Sequence, residues 1–248
     1  MNDKPRTALV TGGNSGLGAA SAKALHDAGH DVIIAHTPDN DQAARWLKEQ
    51  AEHGYDFIGM EVDVSDWAST QRLADNIHAR GMQVDILVNN AGITRDATFR
   101  KLTKENWDAV LRTNLDSMFN VTRPLAESMA ERGWGRIINI SSVNGTKGQF
   151  GQTNYSAAKA GIHGFTMALA QELARKGVTV NTIAPGYMAT EMVQAMPEET
   201  LKHIVSEIPV GRLGKPEEIA ALVVFIASEA AAYMTGSKVS MNGGQHMY

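Results

Sequence analysis

The sequence predicts an α/β protein built as one doubly wound parallel sheet of about seven strands with helices on both faces. Three observations predict it. Short β-rich runs alternate with helix-spaced segments along the 248 residues; most of the runs are apolar throughout; and no linker, low-complexity tract or repeat interrupts them. Strands covered on both faces read as continuous apolar runs. Strict strand–helix alternation implies parallel pairing through right-handed crossovers.

The predicted strands are Thr7–Thr11, Asp31–Ala35, Phe57–Val62, Ile86–Asn89, Arg136–Ser141, Thr179–Ala184 and Lys238–Met241. In the first helical segment Leu17, Ala20, Ala24 and Ala28 share helical spacing, and Gly29 stands where a C-terminal cap takes a left-handed backbone. The longest segment, Lys104–Arg132, has Thr103 as its N-cap and Pro124 in its interior, where a kink or break is expected. A chain of this size often folds as one unit, so residues 1–248 are read as a single domain.

Bulk properties exclude several function classes. A hydrophobic share of 43% supports one large core, and a net charge of −4 without a basic run gives no footprint for nucleic acid. Cysteine is absent, which excludes disulfides and thiol chemistry. Met1–Arg6 is polar and lacks the apolar stretch of a signal peptide. No run approaches the roughly 18 apolar residues of a membrane span, so a cytoplasmic protein without a membrane partner is expected. The eight histidines and the carboxylates show no ligand spacing, so no metal is expected, and a lone histidine such as His163 is read as structural.

The first chemical signal is Thr11-Gly12-Gly13-Asn14-Ser15-Gly16-Leu17-Gly18, which follows the first strand and opens into a helix. Glycines permit close backbone approach, and the N–H groups of a helix N-terminus suit a pyrophosphate. A purely structural turn uses glycine too. Placement after an N-terminal strand favours a dinucleotide site. The second strand ends in Ala35-His36-Thr37-Pro38, without the carboxylate that holds the ribose hydroxyls of NAD. That favours NADP(H), with His36 and Thr37 as donors to its 2′-phosphate. Arg45 either swings toward that phosphate or is a solvated helix residue.

The second signal is a set of polar residues. Tyr155 and Lys159 are four apart and share a helix face. Ser142 lies just past the fifth strand, and Asn114 in the long helix before it. Each alone has an ordinary structural reading, but residues at the carboxyl ends of strands converge on a cofactor crevice.

From Thr7 to Gly244 the chain resembles the short-chain dehydrogenase/reductase family. The resemblance rests on the glycine loop, Asp63-Val64, Asn89-Asn90-Ala91-Gly92, Asn114, Ser142, Tyr155-Ser156-Ala157-Ala158-Lys159, Pro185-Gly186 and Asn242-Gly243-Gly244. It implies a Rossmann fold binding NADP(H). Gly12, Asn14, Ser15, Gly16, Leu17 and Gly18 would then cradle the phosphates, and His36 and Thr37 the adenosine end. Asp63 and Val64 would contact the adenine, and Asn90, Ala91 and Gly92 would support the cofactor. Pro185, Gly186 and Thr190 would lie near the nicotinamide.

The resemblance also implies roles. Tyr155 would be the general acid in reduction, with its pKa lowered by the Lys159 ammonium. Ser142 would stabilise the oxyanion. Lys159 would hold the nicotinamide ribose, and Asn114 a water that resupplies the proton.

Two subfamilies reduce 3-oxo thioesters, and the stretch from Ser141 to Tyr155 resembles acetoacetyl-CoA reductases. That implies an (R)-3-hydroxybutyryl-CoA product and a setting in polyhydroxybutyrate synthesis. Gln149, Phe150 and Gln152 would line the substrate entrance with Tyr187 opposite; otherwise they form a polar surface loop. The alternative is a 3-oxoacyl-acyl-carrier-protein reductase, with Arg95, Arg100 and Lys101 as docking surface. Residues 188–212, with Met188, Met192 and Met196, read as a substrate lid or as gap-filling core. The run from Ser237 to Tyr248 resembles the family's tetramer contact, so a homotetramer is expected. A catalytically inert nucleotide sensor on this fold would be favoured by loss of Ser142, Tyr155 or Lys159, and all three are present.

Overall fold

The apolar runs become seven parallel strands joined by helices. In the computed structural model, which describes residues 5–247, the first half runs β1 (Thr7–Thr11), α1 (Gly16–Asp27), β2 (Asp31–His36), α2 (Asp41–Glu52), β3 (Ile58–Glu61), α3 (Trp67–Ala79) and β4 (Ile86–Asn89). It continues through α4 (Lys104–Leu111), α5 (Ser117–Glu131), β5 (Gly135–Ile140), α6 (Asn144–Lys147), α7 (Thr153–Leu173) and β6 (Val178–Pro185). The last elements are α8 (Glu191–Gln194), α9 (Glu198–Ser206), α10 (Pro216–Ala227) and β7 (Lys238–Met241). The predicted strands all form, with ends shifted by one residue in places. The sheet order is β3-β2-β1-β4-β5-β6-β7, so the chain reverses its direction of growth between β1 and β4.

Successive strand residues point to opposite faces, which divides the core in two. Leu9, Ile33, Leu87 and Ile137 meet Leu73 and Ile77 of α3 and Val121 and Met129 of α5. Their neighbours Val10, Ile34, Val88 and Ile138 meet Leu25 of α1 and Ile219, Val223 and Ile226 of α10. All are at most 2% exposed. Each such side chain contributes about 1.5–3 kcal/mol on burial.

Two helices differ from their sequence reading. In α1 the buried set is Gly18, Ser21, Ala22 and Leu25, while Leu17, Ala20 and Ala24 are half-buried and Ala28 is exposed. The helix packs on β1 and β2 and lies alongside α10 on the same face, so its buried side is turned from the one that apolarity alone suggests. Gly29 follows it with φ at +88°, as expected of a terminator. The long segment does not break at Pro124, which sits within α5. It departs from α geometry earlier, in a π turn at Arg112–Asp116. There Ser117 N–H donates to Arg112 O, one residue further back than an α-helix takes it. Thr113 O, so released, accepts from Ser117 Oγ at 2.6 Å. At the helix start, Thr103 Oγ1 accepts the N–H of Asn106 at 3.2 Å.

A polar row crosses the middle of the sheet. Asn89, Asn139 and Thr182 are register partners on β4, β5 and β6. Asn89 Nδ2 donates to Asn139 Oδ1 at 2.9 Å and to Thr122 Oγ1 of α5 at 3.0 Å. Asn139 Nδ2 donates to Thr166 Oγ1 of α7 at 2.9 Å, and Thr166 Oγ1 lies 2.7 Å from Thr182 Oγ1. Among the described residues no helix is long and apolar enough to cross a membrane.

Asn139→Ala strips partners from groups that are fully buried, and is expected to lower the unfolding free energy by about 2–4 kcal/mol. Urea denaturation checks this; a loss below about 1 kcal/mol would show the row to be dispensable.

Candidate active site

The reversal between β1 and β4 leaves a crevice at the carboxyl ends of the strands, where doubly wound sheets take ligands. A cleft of about 490 Å³ fills it. One wall is the turn between β1 and α1, with Gly12 at φ +61° and Gly16 at +50°. Gly18 seats the turn on the helix: a Cβ there would lie 2.1 Å from Gly12 O. Asn90 Nδ2 ties this wall to the end of β4 by donating to Thr11 O at 2.9 Å and Gly12 O at 3.2 Å. Ser15 caps α1 without a side-chain hydrogen bond, and the first turn carries no acidic residue. Its leading N–H groups are therefore open to an anion. Of the glycine-loop residues named from sequence, Gly12, Ser15, Gly16 and Leu17 line the cleft, joined by Asn90, Ala91 and Gly92. Asn14 and Gly18 do not.

The other wall holds Asn114, Ser142, Tyr155 and Lys159, all of which line the same cleft. The π turn presents Asn114, which is fully buried. Its Nδ2 donates to Ile93 O and Val110 O, each at 2.9 Å, and its Oδ1 accepts from Ile93 N at 3.2 Å. Both amide protons are thus engaged, and one lone pair on Oδ1 remains. Gly92 permits the approach, since a Cβ there would lie 2.5 Å from that Oδ1. Lys159 Nζ donates to Ile140 O at 2.8 Å and stands 5.6 Å from the centre of the Tyr155 ring.

The electrostatics differ from the sequence expectation. Burial pushes the Tyr155 phenol up to about 12; a hydrogen bond with Ser142 pulls the other way, and the charges of Asp96 and Tyr187 add to the rise. The ammonium was expected to lower this phenol, but desolvation prevails. Burial also lowers Lys159 to about 8. The site therefore holds a protonated phenol, the form that donates.

The entrance is a hydrogen-bonded chain. Gln152 Nε2 donates to Asp96 Oδ2 at 2.8 Å, and Gln152 Oε1 accepts from Asn144 Nδ2 at 3.0 Å. Asn144 N donates to Ser142 Oγ at 3.1 Å, and its side chain tempers the rise that burial gives the Tyr187 phenol. Both ends of the Gln152 amide are engaged within the protein, so it braces the loop. Half-buried Gln149 accepts from Lys147 Nζ at 3.3 Å, and Phe150 is 86% exposed. These three and Tyr187 stand outside the lining of the cleft itself. Sequence reading missed Asp96 and Asn154. Asn154 is fully buried and donates to Arg95 O at 3.2 Å while accepting from Tyr155 N at 2.8 Å. An asparagine directly before the tyrosine was the one signal for it.

Beyond β6, Pro185, Gly186 and Thr190 line the cleft, and Thr190 Cγ2 would lie 3.5 Å from a Cβ on Gly16. Residues 188–212 form α8 and α9; Met188 is 6% exposed, whereas Met192 is 71% exposed and lines the cleft. At the adenosine end His36, Thr37, Asp63 and Val64 lie outside the cleft lining, while Gln42, not foreseen, is part of it. His36 Nδ1 donates to Thr37 O at 3.0 Å, which leaves the neutral ring only a lone pair at Nε2. Thr37 Oγ1 accepts from Asn40 Nδ2 at 3.1 Å and keeps its own proton to donate. Asp63 Oδ1 accepts from Ser65 N and Oγ, and Val64 O from Asn120 Nδ2. Arg45 is exposed. Tyr248, at the end of the expected tetramer contact, lies outside the described residues, as do Met1–Lys4.

A glycine loop at a topological switch point, facing a half-buried tyrosine and a buried lysine, is an arrangement that dehydrogenases of the doubly wound class share. This chain belongs to the short-chain dehydrogenase family, whose profile matches residues 6–201. It is 55% identical over 242 residues to the acetoacetyl-CoA reductase of Cupriavidus necator, covering 98% of each chain. It is 42% identical over 247 residues to the 3-oxoacyl-acyl-carrier-protein reductase of Escherichia coli, covering 100% of both. A crystal structure of a candidate gluconate dehydrogenase from Agrobacterium tumefaciens superposes with a TM-score of 0.94 at 36% identity, covering 98% of this chain and 97% of that one.

The Lys159 shift makes a stability prediction. Its folded pKa of about 8 lies below the ordinary 10.5, so the cost of burying the ammonium is fully present below pH 8 and fades as pH rises toward 10.5. Lys159→Met should be more stable than the native protein at about pH 7 by ~1–3 kcal/mol, allowing for the Ile140 O partner it removes. The advantage should shrink by about pH 10, read by denaturation at both pH values. A variant less stable at neutral pH would overturn the argument.

Proposed function

We propose that this protein reduces the 3-oxo group of acetoacetyl-CoA with NADPH, giving (R)-3-hydroxybutyryl-CoA for polyhydroxybutyrate synthesis. One observation carries the reading: a single cleft joins the glycine loop to the Ser142, Tyr155 and Lys159 side chains. Whole-length similarity to an acetoacetyl-CoA reductase supports the substrate.

The open N-terminus of α1 fits a pyrophosphate, and the lack of a carboxylate on His36 or Thr37 fits a 2′-phosphate, with Thr37 as its donor. Asn14 and Gly18 shape the loop, and Asp63 and Val64 flank the adenine. NADPH, when bound, supplies the hydride. Tyr155 then gives its proton to the substrate oxygen as C3 is reduced. The Ser142 hydroxyl hydrogen-bonds that oxygen and stabilises its developing charge. Lys159 holds the nicotinamide ribose and returns a proton toward the phenolate, and the free lone pair of Asn114 Oδ1 orders the water behind it.

Phe150 offers an exposed aromatic face to the pantetheine arm, beside Gln149 on the rim. Gln152 serves by holding Asp96 and Asn144 in place. The segment 188–212 acts as the lid, anchored by buried Met188 and closing with Met192. Exposed Phe119, Met167 and Phe225 support assembly as a homotetramer. A second reading, reduction of a carrier-protein thioester, is favoured by the whole-length relative and by exposed Arg95, Arg100 and Lys101 near the entrance.

Initial rates of NADPH oxidation with acetoacetyl-CoA, beside acetoacetyl-carrier protein and NADH, test the reading; preference for the carrier protein would select the second one. Tyr155→Phe should lower kcat by about a thousandfold or more and leave NADPH affinity nearly unchanged; retained turnover would remove the assigned acid. Phe150→Ala should raise KM for acetoacetyl-CoA about fivefold or more with KM for NADPH constant. Equal effects on the two would return the loop to a plain surface role.

A further inference from the structure

Helix α7 carries both Tyr155 and Lys159, so its seating against the end of β5 sets where both side chains reach. Two hydrogen bonds make the joint. Lys159 Nζ donates to the Ile140 carbonyl, and Ser141 Oγ donates to the Lys159 carbonyl, each at 2.8 Å. The Ile140–Ser141 step thus grips the side chain and the backbone of one residue. Gly145 brings α6 against the same point, where a Cβ would lie 2.7 Å from the Lys159 carbonyl carbon.

His163, one turn beyond Lys159, completes the joint. Its Nε2 lies 2.8 Å from Ser141 Oγ. A serine hydroxyl has one proton, and here it goes to a carbonyl, which can only accept. Nε2 must therefore donate, which fixes the imidazole as the Nε2–H tautomer. Burial, with the Lys238 and Lys159 cations nearby, holds His163 down at about 4, so the ring stays neutral through the neutral range. We propose that His163 is a positioning residue for Lys159, acting through Ser141: its Nε2–H fixes the direction of the Ser141 hydroxyl, and with it the seat of α7 behind the ammonium. The inference rests on the nucleotide-holding role proposed for Lys159. It replaces the purely structural reading of this histidine, because an apolar side chain of similar size fills the space without steering the hydroxyl.

His163→Leu keeps the bulk and removes the donor, whereas His163→Gln returns an N–H at comparable reach. Steady-state rates with NADPH and acetoacetyl-CoA are expressed per NADPH-binding site, so that misfolded protein does not count, and NADPH affinity is measured by fluorescence titration. The Leu variant is expected to lose about tenfold in kcat and severalfold in NADPH affinity, with KM for the thioester within about twofold. The Gln variant is expected to recover most of both, and Ser141→Ala combined with His163→Leu to be no worse than Ser141→Ala alone. Unchanged kcat and affinity in the Leu variant, equal losses in Leu and Gln, or additive losses with Ser141→Ala would each overturn the proposal. If the native protein reduces no 3-oxoacyl thioester, the proposed function fails. Titration with whichever nicotinamide nucleotide binds still decides the joint, an unchanged affinity in the Leu variant refuting it.

Discussion

Where β1 and β4 diverge, Thr11 Oγ1 donates to Val88 O at 3.4 Å and accepts the N–H groups of Asn90 and Ala91, each at 3.0 Å. One proton and two lone pairs are all that a hydroxyl has, and here every one joins the two strands. The Asn90 amide adds two more bonds to the same turn. The glycine loop and the segment after β4 are therefore held at a fixed separation at the crevice beyond the carboxyl ends of the two paired strands. The cleft, the open N-terminus of α1 and the seat of Asn114 through Ile93 all follow from that separation.

The opposite wall is organised around a cation withdrawn from water. Lys159 is 4% exposed, and its charge is tolerated because Ile140 O accepts from it. Such a group costs stability and gives position in return. Its neighbours are correspondingly constrained: Asn114 by three bonds in the π turn, Asn154 at the base of Tyr155, and Ser142 by Asn144. On this wall the side chains of Asn114 and Ser142 are thereby held in place. A site of this kind needs little rearrangement when charge develops on a bound carbonyl oxygen.

The layered fold was legible because it depends on local properties. Apolar runs of strand length, separated by helix-spaced segments, leave few alternatives, and all seven strands formed near their predicted limits. The glycine loop, Tyr155, Lys159, Ser142 and Asn114 were legible as residue types in chain order. What escaped depends on contacts between distant residues. Gln152 looks free in sequence, but Asp96, on a different loop, engages it. His36 looks like a donor to a ligand until Thr37 O takes its Nδ1 proton. Pro124 drew attention as the breaker of a long helix, yet the irregularity lies at Asn114, where side chains take over backbone bonds and leave no periodic trace. The outward turn of α1 depended on α10, which lies at the far end of the chain.

The polar row of Asn89, Asn139 and Thr182 bears on alignment as well as on stability. Strands that are apolar on both faces carry little information about how far one should slide along the next, since a shift of two residues restores every side chain to its own face. Apolar contact by itself would permit such a slip wherever the sizes match. The amides would not, because such a slip parts Asn89 from Asn139 and leaves both in hydrocarbon. Three side chains thus act as a vernier for the central strands. The loops at the ends of β4, β5 and β6 carry Asn90, Ser142 and Gly186, so the match that sets the strands level also brings these residues to the same height.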